Sequence, residues 1–168
     1  MKEVSNNKQV KLSDHFTLRE LTKTNHKTAD GNIPSRTAIE NLKQLCWWLE
    51  ELRYSYNTLY CLQPGEDYDT SANVEGIVIN SGYRSPAVNK LAGGAATSNH
   101  LTGCAVDIRC LGKEQMIRYA GIVLDIADGT GKDFDELLLE QHGTTCWLHL
   151  AVRPVGNRRR IGLGPQGV

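Results

Sequence analysis

Two short segments most constrain what this chain can fold into: Ser98-Asn99-His100-Leu101-Thr102-Gly103-Cys104-Ala105-Val106-Asp107 and Trp147-Leu148-His149. Together they supply two imidazoles and one carboxylate at spacings that suit a single zinc ion. Three protein ligands with a free fourth position is the arrangement of catalytic zinc, whereas structural zinc is closed by four ligands, usually rich in cysteine. His100 and Asp107 stand seven residues apart, with Gly103 and Ala105 between them. Two ligands on one helical face need a spacing of about three or four, so this pattern predicts a turn followed by a strand and not a helical H-E-x-x-H site. On an extended segment Ala105 and Asp107 share a face, and Gly103 is expected to let backbone pass close to the metal.

The rest of the chain reads as α+β: a small central antiparallel sheet with helices packed on it. Thr17, three residues before Glu20, is placed to cap a short helix ending near Leu21. Ile39, Leu42, Leu45, Cys46, Leu49 and Leu52 recur at helical spacing and predict a core helix over residues 37–54, with only one of Trp47 and Trp48 facing inward. Residues 56–75, polar and aperiodic around Pro64-Gly65, read as a loop or inserted hairpin. The β-branched run over 76–82 reads as a central strand that delivers Tyr83 and Arg84 to the site rim, followed by a short helix from Ser85 or Pro86. Strand 104–110 should carry Asp107, and a helix over 113–125 should bury Met116, Ile117, Ala120, Ile122, Val123 and the following Ile126. Leu137-Leu138-Leu139 and residues 147–152 should pair as a hairpin that puts Glu136 or Glu140 near His149. One domain over 1–168 is expected, with a core of about 10–152 and a loose tail over 153–168.

Composition excludes more than it selects. Nineteen basic and nineteen acidic residues balance, so no global field argues for nucleic acid or an anionic membrane as partner. Arg158-Arg159-Arg160 is the one local excess and reads as a solvated tail. No run of about 18 apolar residues predicts a membrane span. Residues 1–8 hold no apolar stretch of the signal-peptide kind, so cytoplasmic synthesis is expected. Cys46, Cys61, Cys104, Cys110 and Cys146 are an odd number without C-x-x-C spacing and read as reduced core thiols. Strand alternation should aim Cys104 and Cys146 away from the metal.

The motifs resemble the zinc D-alanyl-D-alanine carboxypeptidases and dipeptidases and the related phage L-alanyl-D-glutamate endopeptidases. The resemblance rests on Ser81-Gly82-Tyr83-Arg84-Ser85-Pro86, then S-x-H-x-x-G-x-A-x-D, then W-x-H. It extends to the opening Leu12-Ser13-Asp14-His15-Phe16-Thr17-Leu18-Arg19-Glu20-Leu21 and the F-D-x-L-x-x-E run from Phe134 to Glu140, covering roughly residues 10–152. It implies a Hedgehog/DD-peptidase-like fold and zinc held by His100, Asp107 and His149. It also implies peptidoglycan stem peptides as substrate, with Arg84, Tyr83 and Ser98 contacting them, and Arg84 gripping a carboxylate or polarised carbonyl. A monomer is expected. Relatives of the lysin type reach the wall through a separate membrane pore, so the absent leader is compatible with action on the cell wall.

The proton-transfer group is where the chain departs from many relatives, which carry a carboxylate three residues before the last histidine; here that position is Cys146. A thiol is a poor substitute for a group that must take a proton from water and return it to an amine near neutral pH. Glu140 is the favoured base and Glu136 the second choice. Two other readings remain: a wall-binding module that keeps zinc but does not cut, and a zinc-stabilised protein unrelated to the wall.

Overall fold

Local sequence signals account for most element boundaries in the computed structural model, which describes residues 10–164. The segment read above for a leader, residues 1–8, lies outside the described residues, as do 165–168. Helix α1 (Leu18–Thr22) opens on the expected capping box, the Thr17 side chain accepting from Glu20 N–H while the Glu20 carboxylate accepts from Thr17 N–H. Helix α2 (Arg36–Tyr60) is capped by Ser35 and runs beyond residue 54 into the segment read as loop. Asn57 explains the extension: it is fully buried, its amide donating to the Glu75 carbonyl while its oxygen accepts from Glu75 N–H. That pins the returning chain to the last helical turns. Trp48 is buried and Trp47 half-buried, one in and one at the surface.

Helix α3 (Pro86–Leu91) starts on a Ser85 cap with Pro86 in its first turn, where the missing N–H costs nothing. A 3-10 turn (Asn99–Thr102) then leads into strand β2 (Ala105–Cys110). Helix α4 (Lys113–Thr130) is longer than expected and buries Met116, Tyr119, Ala120, Val123 and Ala127. Ile117 lies off this stripe and is 61% exposed, against the expectation that it faces the core.

The sheet departs from the sequence reading in two places. Strand β1 (Ile79–Ser81) is short and lies at the sheet edge, not its centre; its pairing with β2 is irregular between Ile79 and Ser81. Strands β3 (Glu136–His142) and β4 (Thr145–Ala151) form the expected hairpin, turning through Gly143 and Thr144 with Gly143 at positive φ, as tight hairpin turns require. The segment read as a loose tail instead supplies β5 (Arg160–Leu163), parallel to β3, so the five-stranded sheet is mixed, in the order β1-β2-β4-β3-β5. Ladder pairing from Glu136↔Arg160 to Leu139↔Leu163 and the ion pair of Arg158 with Asp135 explain why this Gly- and Arg-rich stretch is held. The architecture is α+β.

Alternation along β2, β3 and β4 divides the sheet into two faces. Val106, Ile108, Leu137, Cys146, Leu148 and Leu150 belong to the apolar core that also includes the buried stripes of α2 and α4. His149 is the cross-strand neighbour of both Asp107 and Leu138, so the three share the opposite face with Glu136 and Glu140. Burying a Leu or Ile side chain stabilises by about 1.5–3 kcal/mol, so the core face fixes the register that the other face uses. Among the described residues no helix is long and apolar enough to cross a membrane.

Candidate metal centre

His100, Asp107 and His149 come together as one buried group whose ligand atoms all lie within 4.8 Å of one another. Asp107 and His149 are direct cross-strand partners on β2 and β4, which places Asp107 Oδ1 at 2.9 Å from His149 Nδ1. His100 arrives from the 3-10 turn, with Nε2 3.3 Å from the same oxygen. The turn ends on Gly103, at φ 71°, where a Cβ would collide with the Ala38 carbonyl of α2. Gly103 is therefore required by its left-handed backbone and its approach to α2; contact with the metal, as the sequence suggested, is not the reason.

Hydrogen bonds on the far side of each ring decide which nitrogen faces the centre. His100 Nδ1–H donates to the Gly82 carbonyl at 2.6 Å, leaving Nε2 as the unprotonated nitrogen turned inward. His149 Nε2 faces Glu136 Oε2 at 3.5 Å, leaving Nδ1 inward. The Gly82 carbonyl is itself fixed, because Tyr83 N–H donates to the Leu21 carbonyl of α1 and Arg84 N–H to the His100 carbonyl. Two ring lone pairs and a carboxylate oxygen at such separations repel unless positive charge lies between them. This donor set, neutral imidazoles plus one carboxylate with partners behind the rings, fits a zinc ion.

Electrostatics carry the same message. Burial works against the charge of Asp107, but His100 and His149 overcome it and hold the carboxyl well below its usual range. Burial likewise opposes a charged His149, yet hydrogen bonds to Asp107 and Glu136 raise it to about 9. Arg84 donates from Nη2 to Asp107 Oδ2 at 2.6 Å and from Nε to Ser81 Oγ at 2.8 Å. It thus grips the Asp107 oxygen that does not face the histidines.

The two candidate carboxylates flank His149 in contrasting surroundings. Glu136 accepts from Asn99 at 3.2 Å, meets Arg158 and Arg160 at 3.1 Å each and faces His149; the His149 hydrogen bond first, with Asn99 and Arg158 behind it, holds it down at about 2 against its burial. Glu140 sits across from Trp147, whose indole N–H donates to Oε2, and Gly164 packs so closely on it that a Cβ there would overlap the carboxylate. Burial raises the Glu140 carboxyl above its usual value despite the attraction of His149.

The remaining expected residues are divided. Ser98 caps the 3-10 turn, accepting from His100 N–H, and lines a cavity beside His149. Tyr83 is not brought to the rim: its ring is 8% exposed and belongs to the core cluster. Cys146 is buried on the core face, as alternation predicted. Sequence reasoning missed Asn99, which donates to both Asp135 and Glu136, although it stands next to His100. It also missed Asp135, fully buried and held at about 2 because Arg158 and Asn99 outweigh its burial.

Comparison with known proteins agrees with this geometry. Residues 66–130, which include His100 and Asp107, match the family model described as Peptidase M15. The chain is also 28% identical over 94 residues to the zinc D-Ala-D-Ala carboxypeptidase of Streptomyces albus G. That match covers 56% of this chain and 31% of the relative, so the chain spans about a third of the relative's length. The α+β fold and the buried His-Asp-His group are consistent with these matches. Over the matched residues the chain is thus similar to the M15 peptidases and to a zinc D-Ala-D-Ala carboxypeptidase.

Proposed function

We propose that the protein is a zinc-dependent peptidase that hydrolyses an amide bond in peptidoglycan stem peptides, as a carboxypeptidase or an L-Ala-D-Glu-type endopeptidase of the phage-lysin kind. The observation that carries this reading is the pairing of a three-ligand His100-Asp107-His149 group with Glu140, a carboxylate on the same sheet face whose affinity for a proton is raised by burial. Zinc, when bound, supplies Lewis-acid polarisation of a carbonyl oxygen and acidification of water.

The chain's own groups do the rest. Glu140 takes the proton from the attacking water and returns it to the leaving amine nitrogen, a task for which a carboxyl tuned upward suits a reaction near neutral pH. The Trp147 indole holds Oε2 and thereby aims the carboxylate. Glu136, anchored by Asn99 and Arg158, is a weak base and serves to orient His149 through Nε2. Arg84 fixes Asp107 through Nη2 and is itself held by Ser81 through Nε, and it presents Nη1 to a substrate oxygen. The absence of a carboxylate at Cys146 does not favour a non-cutting module, since two carboxylates reach the metal face from β3.

Digestion of purified peptidoglycan with the zinc-loaded protein, followed by mass analysis of the products, tests the reading. Release of terminal D-Ala supports the carboxypeptidase and separation of L-Ala from D-Glu the endopeptidase; no change in any muropeptide with zinc bound contradicts both.

A further inference from the structure

Beside His149 lies a cavity of about 650 Å³, within the range of ordinary small-ligand sites. His149 is the one metal ligand that lines it, so the cavity adjoins the metal group and does not enclose it. Leu138 and the small residues Ala95 and Ala96 contribute apolar surface, and Arg153, Arg158 and Arg160 line it together with Glu136. The run read from sequence as a solvated tail thus brings two of its three arginines to the substrate side of the molecule.

These three guanidinium groups do not have equal structural duties. Arg158 is a strut: its Nε and Nη2 donate to the two oxygens of buried Asp135 at 2.8 and 2.7 Å, and Asn99 adds another bond at 2.8 Å. Asp135 is therefore satisfied without Arg153, whose nearest nitrogen is 3.7 Å away and whose side chain is 43% exposed. Glu136 already faces Arg158, Asn99 and His149, so Arg160 adds one contact and remains 63% exposed. Exposed pairs of this kind contribute little to folding. Three cations thus face two carboxylates, one of them wholly enclosed, and the surplus positive charge belongs to Arg153 and Arg160 at the cavity.

We propose that Arg153 and Arg160 form a carboxylate-recognition subsite, so that the peptide taken by this protein carries a free carboxylate on the part that extends from His149 into this cavity. The planar fork of arginine matches a carboxylate with two parallel N–H bonds, and the small apolar walls leave room for a peptide backbone between the metal group and the arginines. The inference rests on the peptidase reading above. The carboxylate is either the terminal one or that of an acidic side chain, and both have the same chemistry here.

Calorimetric binding to the zinc-loaded Glu140→Gln protein, which should hold peptide without cutting it, separates these sources. The probes are L-Ala-D-Glu-L-Lys-D-Ala-D-Ala, its C-terminal amide, and the peptide with D-Gln in place of D-Glu. Neutralising the recognised carboxylate should weaken binding by about tenfold, as for a partly exposed charge-assisted pair. Adding Arg153→Ala and Arg160→Ala should bring the acid to the affinity of its neutral analogue and leave that analogue's affinity unchanged. Arg153→Ala alone, which touches neither Glu136 nor a metal ligand, should give part of the loss with zinc content intact. Arg159→Ala, which removes the same charge from the Asp128 pair, should give none. Equal binding of acid and both neutral peptides, or equal weakening of all three by the double variant, overturns the subsite. If the wild-type protein cuts peptidoglycan but shows no such discrimination, the subsite alone fails; if it neither cuts nor binds any of the three, the peptidase reading fails with it.

Discussion

Glu136 and Glu140 lie on one strand and one sheet face, yet their surroundings drive them apart. At the Glu136 end the chain gathers Asn99, Arg158, Arg160 and His149, all donors or cations, and the carboxyl falls to about 2. At the Glu140 end it places the Trp147 indole, a neutral donor, and the closely packed Gly164 backbone, and burial raises the carboxyl. Under the proposed mechanism the two carboxylates take separate roles, Glu136 as a support for His149 and Glu140 as the group that accepts and releases a proton. The cation-rich end owes its character to the approach of β5, and the closely packed end to the close of the same strand. The C-terminal segment thus sets both.

The largest effect should come from the group that both ends serve. Asp107→Ala removes one of three ligands and leaves Arg84 facing two histidines, so zinc and all activity should be lost; elemental analysis that finds full zinc in this variant breaks the metal assignment. At the cation-rich end, Glu136→Gln should lower zinc affinity by about tenfold through poorer orientation of His149, while activity at saturating zinc stays within a few-fold of wild type. Competition with a chromophoric chelator measures the first part, and unchanged affinity would remove Glu136 from the metal's support.

A third, smaller effect is a pH dependence of stability in the zinc-free protein. His149 is raised from 6.5 to about 9, so its contribution is fully present below pH 6.5 and lost as pH rises through 9. Glu136 is lowered from 4.5 to about 2, so its contribution is present above pH 4.5 and lost as pH falls through 2. The zinc-free protein should therefore be most stable between these limits, with a loss of order 1–3 kcal/mol toward pH 9. Zinc, which takes a neutral imidazole, should abolish the alkaline loss; parallel melting curves with and without chelator check this, and identical alkaline slopes contradict it. The smallest signal is spectroscopic: carbon-13 titration of the side-chain carboxyls in zinc-free protein should find Glu136 below and Glu140 above the ordinary glutamate value, and two ordinary titrations would erase the contrast.

Much of this was legible in the sequence because short-range rules carry it. The His100 to Asp107 spacing predicts turn then strand, the Thr17 and Ser85 caps mark helix starts, and alternation in β4 sends Cys146 to the core while His149 faces the site. What escaped depends on partners distant in sequence. Residues 160–163 have no strand pattern of their own and are ordered by parallel pairing with β3. Tyr83 is drawn into the core cluster where its N–H meets the Leu21 carbonyl of α1, and the grip of Arg84 on Asp107 follows from the meeting of β1 with β2. The unequal environments of Glu136 and Glu140 needed the hairpin register, Asn99 from the 3-10 turn and the C-terminal segment, none of which a linear pattern encodes.

The division of labour between the two glutamates is tested most directly by single-turnover cleavage of muropeptide at saturating zinc, comparing Glu140→Gln with Glu136→Gln. The account predicts that Glu140→Gln keeps its zinc and fold but slows cleavage by roughly 100-fold or more, the usual worth of general acid and base catalysis, while Glu136→Gln cuts at close to the wild-type rate. A slow Glu136→Gln beside a fast Glu140→Gln would contradict it.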